Sequence, residues 1–162
     1  MSRDLSMFVV GRPIPQGSMQ PFRAGTRILM RHVKGTDLAI WRAAISDTAY
    51  DLWHPEPPLD EPVVVGCQFQ LPRPTSLPKR VVLPAKRPDL DKLVRAVLDA
   101  LSGLVFTDDA RVVSIVASKL YATGQDALGA RISVRPVLDR DPGPEAPVDM
   151  GMGVPHQAGP GS

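Results

Sequence analysis

Leu90, Leu93, Val94, Val97, Leu98 and Leu101 recur at positions i, i+3, i+4, i+7, i+8 and i+11. No other part of the chain is patterned as tightly. This spacing puts every apolar side chain on one stripe of a 3.6-residue helix, and such a stripe requires a surface to pack against. It predicts a helix from Leu90 to Ser102, with Gly103 placed to end it. The helix therefore fixes both a core and an orientation for whatever surrounds it.

Its neighbours read as an alternating series. Met7–Val10 is a short apolar run closed by Gly11-Arg12-Pro13, and predicts a strand. Leu38, Trp41, Ile45, Ala49 and Leu52 follow Thr36-Asp37 at helical spacing, and the prolines at 55, 57 and 58 end that helix. Val63–Phe69, Val112–Val116 and Ala130–Val134 predict three more strands, with Cys67 as a filler of the core. The order strand, helix, strand, helix, strand, strand calls for an α/β fold of the mixed α+β kind. About four strands form a small mixed sheet with two helices packed on it.

A chain of 162 residues fits one domain. No apolar run approaches the roughly 20 residues of a membrane span, and the N-terminus has no signal-peptide core, so the cytoplasm is the default compartment. A single cysteine excludes an internal disulfide framework and any zinc site built on two or more thiolates. The net charge of +2 conceals an asymmetry. Residues 136–162 hold four acids and one base, so the first 135 residues keep 18 basic and 13 acidic residues, a net of +5. That C-terminal stretch is 11 parts in 27 proline or glycine and has little apolar side chain to anchor it. Burial there cannot offset the ordering entropy, so we expect a folded domain over 1–136 and a disordered acidic tail over 137–162.

The basic excess gathers in two acid-free stretches. Residues 12–36 carry Arg12, Arg23, Arg27, Arg31 and Lys34, and residues 73–87 carry Arg73, Lys79, Arg80, Lys86 and Arg87. Proline and glycine interrupt both, which places them mostly on loops. Either alone suits a solvated surface. Two in one small domain point to a polyanion, since a bound phosphate backbone releases its condensed counterions.

The candidate chemistry sits where the clearest helix begins. Lys86-Arg87-Pro88-Asp89-Leu90-Asp91 puts two carboxylates at its N-terminus. Helix capping accounts for both, Asp89 as N-cap and Asp91 against the helix dipole. Asp108-Asp109 adds a second reading. A 13-residue helix travels about 20 Å, and the stretch from Gly103 to Asp109, if extended, returns about 20 Å. A turn at Gly103 would bring Asp109 back beside Asp89 and Asp91. Three converging carboxylates repel unless a cation lies between them, and hard oxygen donors suit Mg²⁺ or Mn²⁺. Arg95 lies four residues after Asp91 on the same face. It can orient that carboxylate, contact a phosphate, or form an ordinary surface pair.

Pro88-Asp89-Leu90-Asp91-Lys92-Leu93, Arg95, Leu98-Asp99-Ala100-Leu101-Ser102-Gly103, Asp108-Asp109-Ala110-Arg111-Val112-Val113 and Lys119 together resemble the RusA family of Holliday-junction resolvases. The resemblance covers roughly residues 86–121, and Gly11-Arg12-Pro13-Ile14-Pro15-Gln16-Gly17 is similar to the family's opening strand and loop. Lys92 stands where the family often has asparagine, and Arg95 where it often has lysine. The resemblance implies a homodimeric mixed α/β nuclease of phages and prophages, working in a bacterial host. Its partner is a four-way DNA junction and its cofactor Mg²⁺ or Mn²⁺. It also implies that Asp89, Asp91 and Asp109 are the metal-binding catalytic carboxylates. Arg95 is then a catalytic candidate, and Arg12, Arg23, Arg73, Lys79, Arg80, Lys86, Arg87 and Lys119 are candidates for DNA contact. Two other readings compete. One is a non-catalytic, structure-selective DNA-binding protein. The other is a nucleotide phosphohydrolase, which would want more glutamates than Glu56, Glu61 and Glu145, none of them near the motif.

Overall fold

The computed structural model describes residues 3–17, 19–32, 35–124 and 127–137, with backbone only for 19–23 and 29–32. Four strands form one mixed sheet in the order β1-β6-β4-β5: β1 (Leu5–Val10), β6 (Gly129–Pro136), β4 (Val63–Leu71) and β5 (Val112–Tyr121). β6 is antiparallel to both neighbours and β4 is parallel to β5. A parallel pair needs a crossover connection, and α2 (Leu90–Leu101) lies within it. The anticipated four-stranded mixed sheet with two helices is present.

Period-two burial along β4 shows how the sheet is made. Val63, Val65, Cys67, Phe69 and Leu71 are buried, and the residues between them are half-exposed. The same face of β1 and β6 contributes Leu5, Met7, Val9, Ala130, Ile132 and Val134. Both helices cover this face. α2 buries Leu93, Val94, Val97, Leu98 and Leu101, as its stripe demanded. α1 (Gly35–Trp53) buries Trp41, Ile45, Ala49 and Trp53. Leu52 was expected on that inner stripe, but it is 58% exposed and Trp53 takes the core position instead. Burial also pushes the Cys67 thiol up to about 12, so it stays protonated and packs as an apolar group.

Several boundaries differ from the sequence reading: β1 begins at Leu5, β4 runs to Leu71 and β6 spans Gly129–Pro136. The stretch read as loop over 12–36 contains a two-stranded hairpin, β2 (Met19–Ala24) and β3 (Arg27–His32), turning at Gly25 and Thr26. β5 runs five residues past Val116, and its pairing with β4 extends to Leu71 and Tyr121. Val137 still donates its N–H to the Pro62 carbonyl at 2.8 Å. The remainder of the expected tail, 138–162, lies outside the described residues.

Candidate active site

α2 carries Asp89 as its N-cap residue, with φ −70° and ψ 135°. Its backbone carbonyl accepts from the Leu93 N–H at 3.1 Å, but its carboxylate makes no capping hydrogen bond. Capping therefore does not account for this side chain. The carboxylate turns to the Lys92 ammonium, 3.2 Å away, and about half of it is exposed. Asp91, in the first turn, is exposed.

The second acidic pair is divided by geometry. Asp108 caps the single 3₁₀ turn Asp109–Arg111, its Oδ1 accepting from the Ala110 N–H at 2.7 Å. That frees Asp109, whose Oδ2 lies 3.1 Å from Arg95 Nη1. Asp60 clamps this turn on both flanks, accepting from Thr107 Oγ1 at 2.9 Å and pairing with Arg111 at 2.9 Å.

The approach from α2 to Asp109 is not the extended return that lengths alone allowed. Gly103, just past the Ser102 C-cap, adopts a left-handed φ of 80°. The Leu104 and Val105 N–H groups then both donate to the Leu101 carbonyl, and the Gly103 N–H donates to the Phe106 carbonyl. A curled segment spans less than an extended one, so Asp109 arrives beside Arg95, on the second turn of α2. Arg95 does not turn back toward Asp91. Its Nε lies 3.3 Å from Asp99, one turn further on, and Nη1 holds Asp109.

Carboxylate oxygens at partly exposed positions suit a hard divalent cation by donor chemistry. Among the described residues, no three side chains of ligating type stand close enough together to hold an ion. Lys92 and Arg95 instead offset the charge of Asp89 and Asp109.

The expected DNA-contacting residues separate into free and engaged groups. Arg12, Lys79, Arg80, Lys86 and Arg87 are exposed. Arg73 is engaged: its guanidinium donates to the Val81 and Pro78 carbonyls at 2.6 and 2.9 Å and lies 5.3 Å from the Tyr121 ring centre. It closes the 73–81 loop on itself. The side chain of Arg23 lies outside the described residues.

Lys119 uses two of its three protons on the Lys86 and Pro88 carbonyls, at 2.7 and 2.9 Å. It thereby fixes the segment that delivers Asp89, a positioning role the sequence did not disclose. Lys119→Met should lower kcat by about ten- to a hundredfold, the weight of a small misplacement at a reacting centre. DNA affinity should stay within about twofold, since only one proton remains free for phosphate. Steady-state junction cleavage with a binding titration checks this. An equal loss of affinity and rate would make Lys119 a DNA contact instead.

The two segments that carried the sequence resemblance meet here. The Gln16 N–H donates to the Lys92 carbonyl at 2.9 Å, tying the loop after β1 to the first turn of α2. Gly11 is fixed at the loop's other end, its N–H donating to the Leu128 carbonyl at 3.1 Å. The chain is 27% identical over 124 residues to the uncharacterized protein YqaN of Bacillus subtilis (strain 168), covering 70% of this chain and 85% of that one. The family model described as Endodeoxyribonuclease RusA matches residues 11–135, which span both segments and the whole sheet apart from β1 and Pro136. The chain belongs to the RusA endodeoxyribonuclease family.

Proposed function

We propose that the chain is a divalent-metal-dependent, structure-selective endonuclease that resolves four-way DNA junctions in recombination and repair, acting as a homodimer. One observation carries this reading: the uncapped carboxylate of Asp89 stands at the start of α2, beside exposed basic residues of the 73–87 stretch. Asp89, Asp91 and Asp109 are the residues that would hold Mg²⁺ or Mn²⁺. When bound, that cation supplies an activated water and offsets charge building on the phosphodiester. The chain's own side chains do the rest. Lys119 holds the backbone before Asp89, Arg95 positions Asp109, and Lys86 and Arg87 attract the phosphate next to the site. A two-fold dimer suits a four-way junction because it presents identical sites to two symmetry-related strands.

The paired state of Asp89 and Asp109 also supports a second reading, a junction-binding protein without cleavage. The two readings share the basic surface and part at metal dependence.

Lys79 and Arg80 test the shared part. Both are exposed, and neither carries the internal hydrogen bonds that remove Arg73 from such an experiment. Lys79→Ala with Arg80→Ala should weaken junction binding and lower the log–log salt slope by about 0.9 for each phosphate no longer neutralised. Affinity titrations across a range of salt concentrations measure it. An unchanged slope would turn this loop away from the DNA.

A further inference from the structure

Next to Asp89 lies a cleft of about 1000 Å³. Six segments line it: the loop after β1, the first turns of α1, the 71–77 stretch, the 84–88 stretch, the start of α2 and the end of β5. More than half of its wall is apolar, with Ile14, Ile40 and Leu77 among the lining residues, and Tyr121 adds an aromatic ring backed by the Arg73 guanidinium. Its charged lining is basic on balance, Arg12, Lys86, Arg87 and Lys92 against Asp37 and Asp89. Phosphate suits the basic part of that lining, but the apolar part offers nothing to a sugar–phosphate backbone. A flat apolar ring joined to a phosphate satisfies both parts, and a nucleotide has that composition. The volume is at the upper end of ordinary ligand sites, enough for one nucleotide and too little for a duplex.

We propose that this cleft takes one unstacked nucleotide of the strand to be cut, its base among the apolar walls and its phosphate at the basic lining beside Asp89. The inference rests on the nuclease reading and adds the means of substrate choice. A base inside a continuous duplex must leave both its stack and its pair to enter. At a branch point stacking is already interrupted, so the same movement costs less. Selectivity for branched DNA then comes from the ease of unstacking, and any base preference at the cut comes from the cleft walls.

The full chain, held in chelator, is titrated against synthetic four-way junctions in which each nucleotide flanking the branch point is made abasic in turn. At one position the affinity should fall about tenfold, the usual weight of a stacked base. Ile40→Ser, at a cleft position 64% exposed and so tolerant of substitution, should weaken the intact junction by a similar factor. It should leave the already abasic junction nearly unchanged, because both changes remove the same interaction. A 5-iododeoxyuridine at the sensitive position should photocross-link to Tyr121. Equal affinities for all abasic junctions, or cross-links only outside the cleft, would overturn the proposal. Junction cleavage in Mg²⁺ with no abasic effect would sink the cleft alone. An abasic effect without cleavage would sink the nuclease reading and leave the cleft standing.

Discussion

Asp89→Asn, Asp91→Asn and Asp109→Asn should each reduce junction cleavage by on the order of a thousandfold, while junction affinity stays near that of the parent chain. Each substitution keeps shape and removes one anionic oxygen donor. A metal-assisted site contributes several kcal/mol of charge stabilisation, and each 1.36 kcal/mol is a factor of ten in rate. Binding survives because the basic surface is untouched, and losing a negative charge near phosphate helps slightly. Asp108→Asn is the informative control. Its neighbour's carboxylate faces Arg95, but its own caps the 3₁₀ turn, so it should cost at most about 1 kcal/mol of stability and little activity. Asp99→Asn should also be mild, because Arg95 keeps Asp109 as a second partner. Near-normal cleavage by any of the three main variants would remove that residue from the site. Single-turnover rates with saturating protein separate the two effects.

The largest effect on stability belongs to Gly129→Ala. Gly129 opens β6 with a φ of 155°, and a Cβ there would stand 2.1 Å from the Val9 carbonyl oxygen and 2.9 Å from the Phe8 ring. The backbone oxygen cannot swing aside as a flexible side chain would, so β1 and β6 must separate where Val10 pairs with Gly129. Gly66 makes a useful contrast, since a Cβ there meets only the Ser133 hydroxyl and its Cβ. We expect Gly129→Ala to cost about 4 kcal/mol, a large share of the roughly 5–15 kcal/mol that holds a domain together. Thermal unfolding should shift down by on the order of 15 °C. Gly11 hydrogen-bonds to Leu128 beside this point, so the loop lining the cleft should loosen as well. A shift of only a few degrees would mean that the strand end relaxes without cost.

Much of this architecture was legible because burial imposes period. The stripe from Leu90 to Leu101 fixed α2, and the apolar runs located β1, β4, β5 and β6. What escaped lacked that signal. The β2–β3 hairpin sits in a basic stretch with Pro21 inside one strand, and it pairs apart from the main sheet as a separate two-stranded sheet. β5 continues through Ser118 and Lys119, polar enough to look like its end, because pairing with β4 holds them.

The candidate site divides in the same way. Residue type and order, with the family resemblance, made Asp89, Asp91 and Asp109 the candidates. Sequence spacing could not settle who pairs with whom, since that depends on the curl at Gly103. Arg95 accordingly meets Asp99 and Asp109 where its spacing suggested Asp91. The work of Lys119 was invisible for another reason. Its partners are backbone carbonyls 33 and 31 residues away, and carbonyls leave no trace in a sequence.

We propose that the chain cleaves branched DNA with a divalent metal. The most direct test of this proposal incubates the purified full chain with an end-labelled synthetic four-way junction and with a linear duplex of the same sequence, in Mg²⁺ and in excess chelator. We expect paired nicks across the junction in Mg²⁺, none in chelator, an intact duplex in both, and a retarded protein–junction complex in chelator. Cleavage that persists in chelator, or a junction that is bound but left whole in both Mg²⁺ and Mn²⁺, would contradict the proposal.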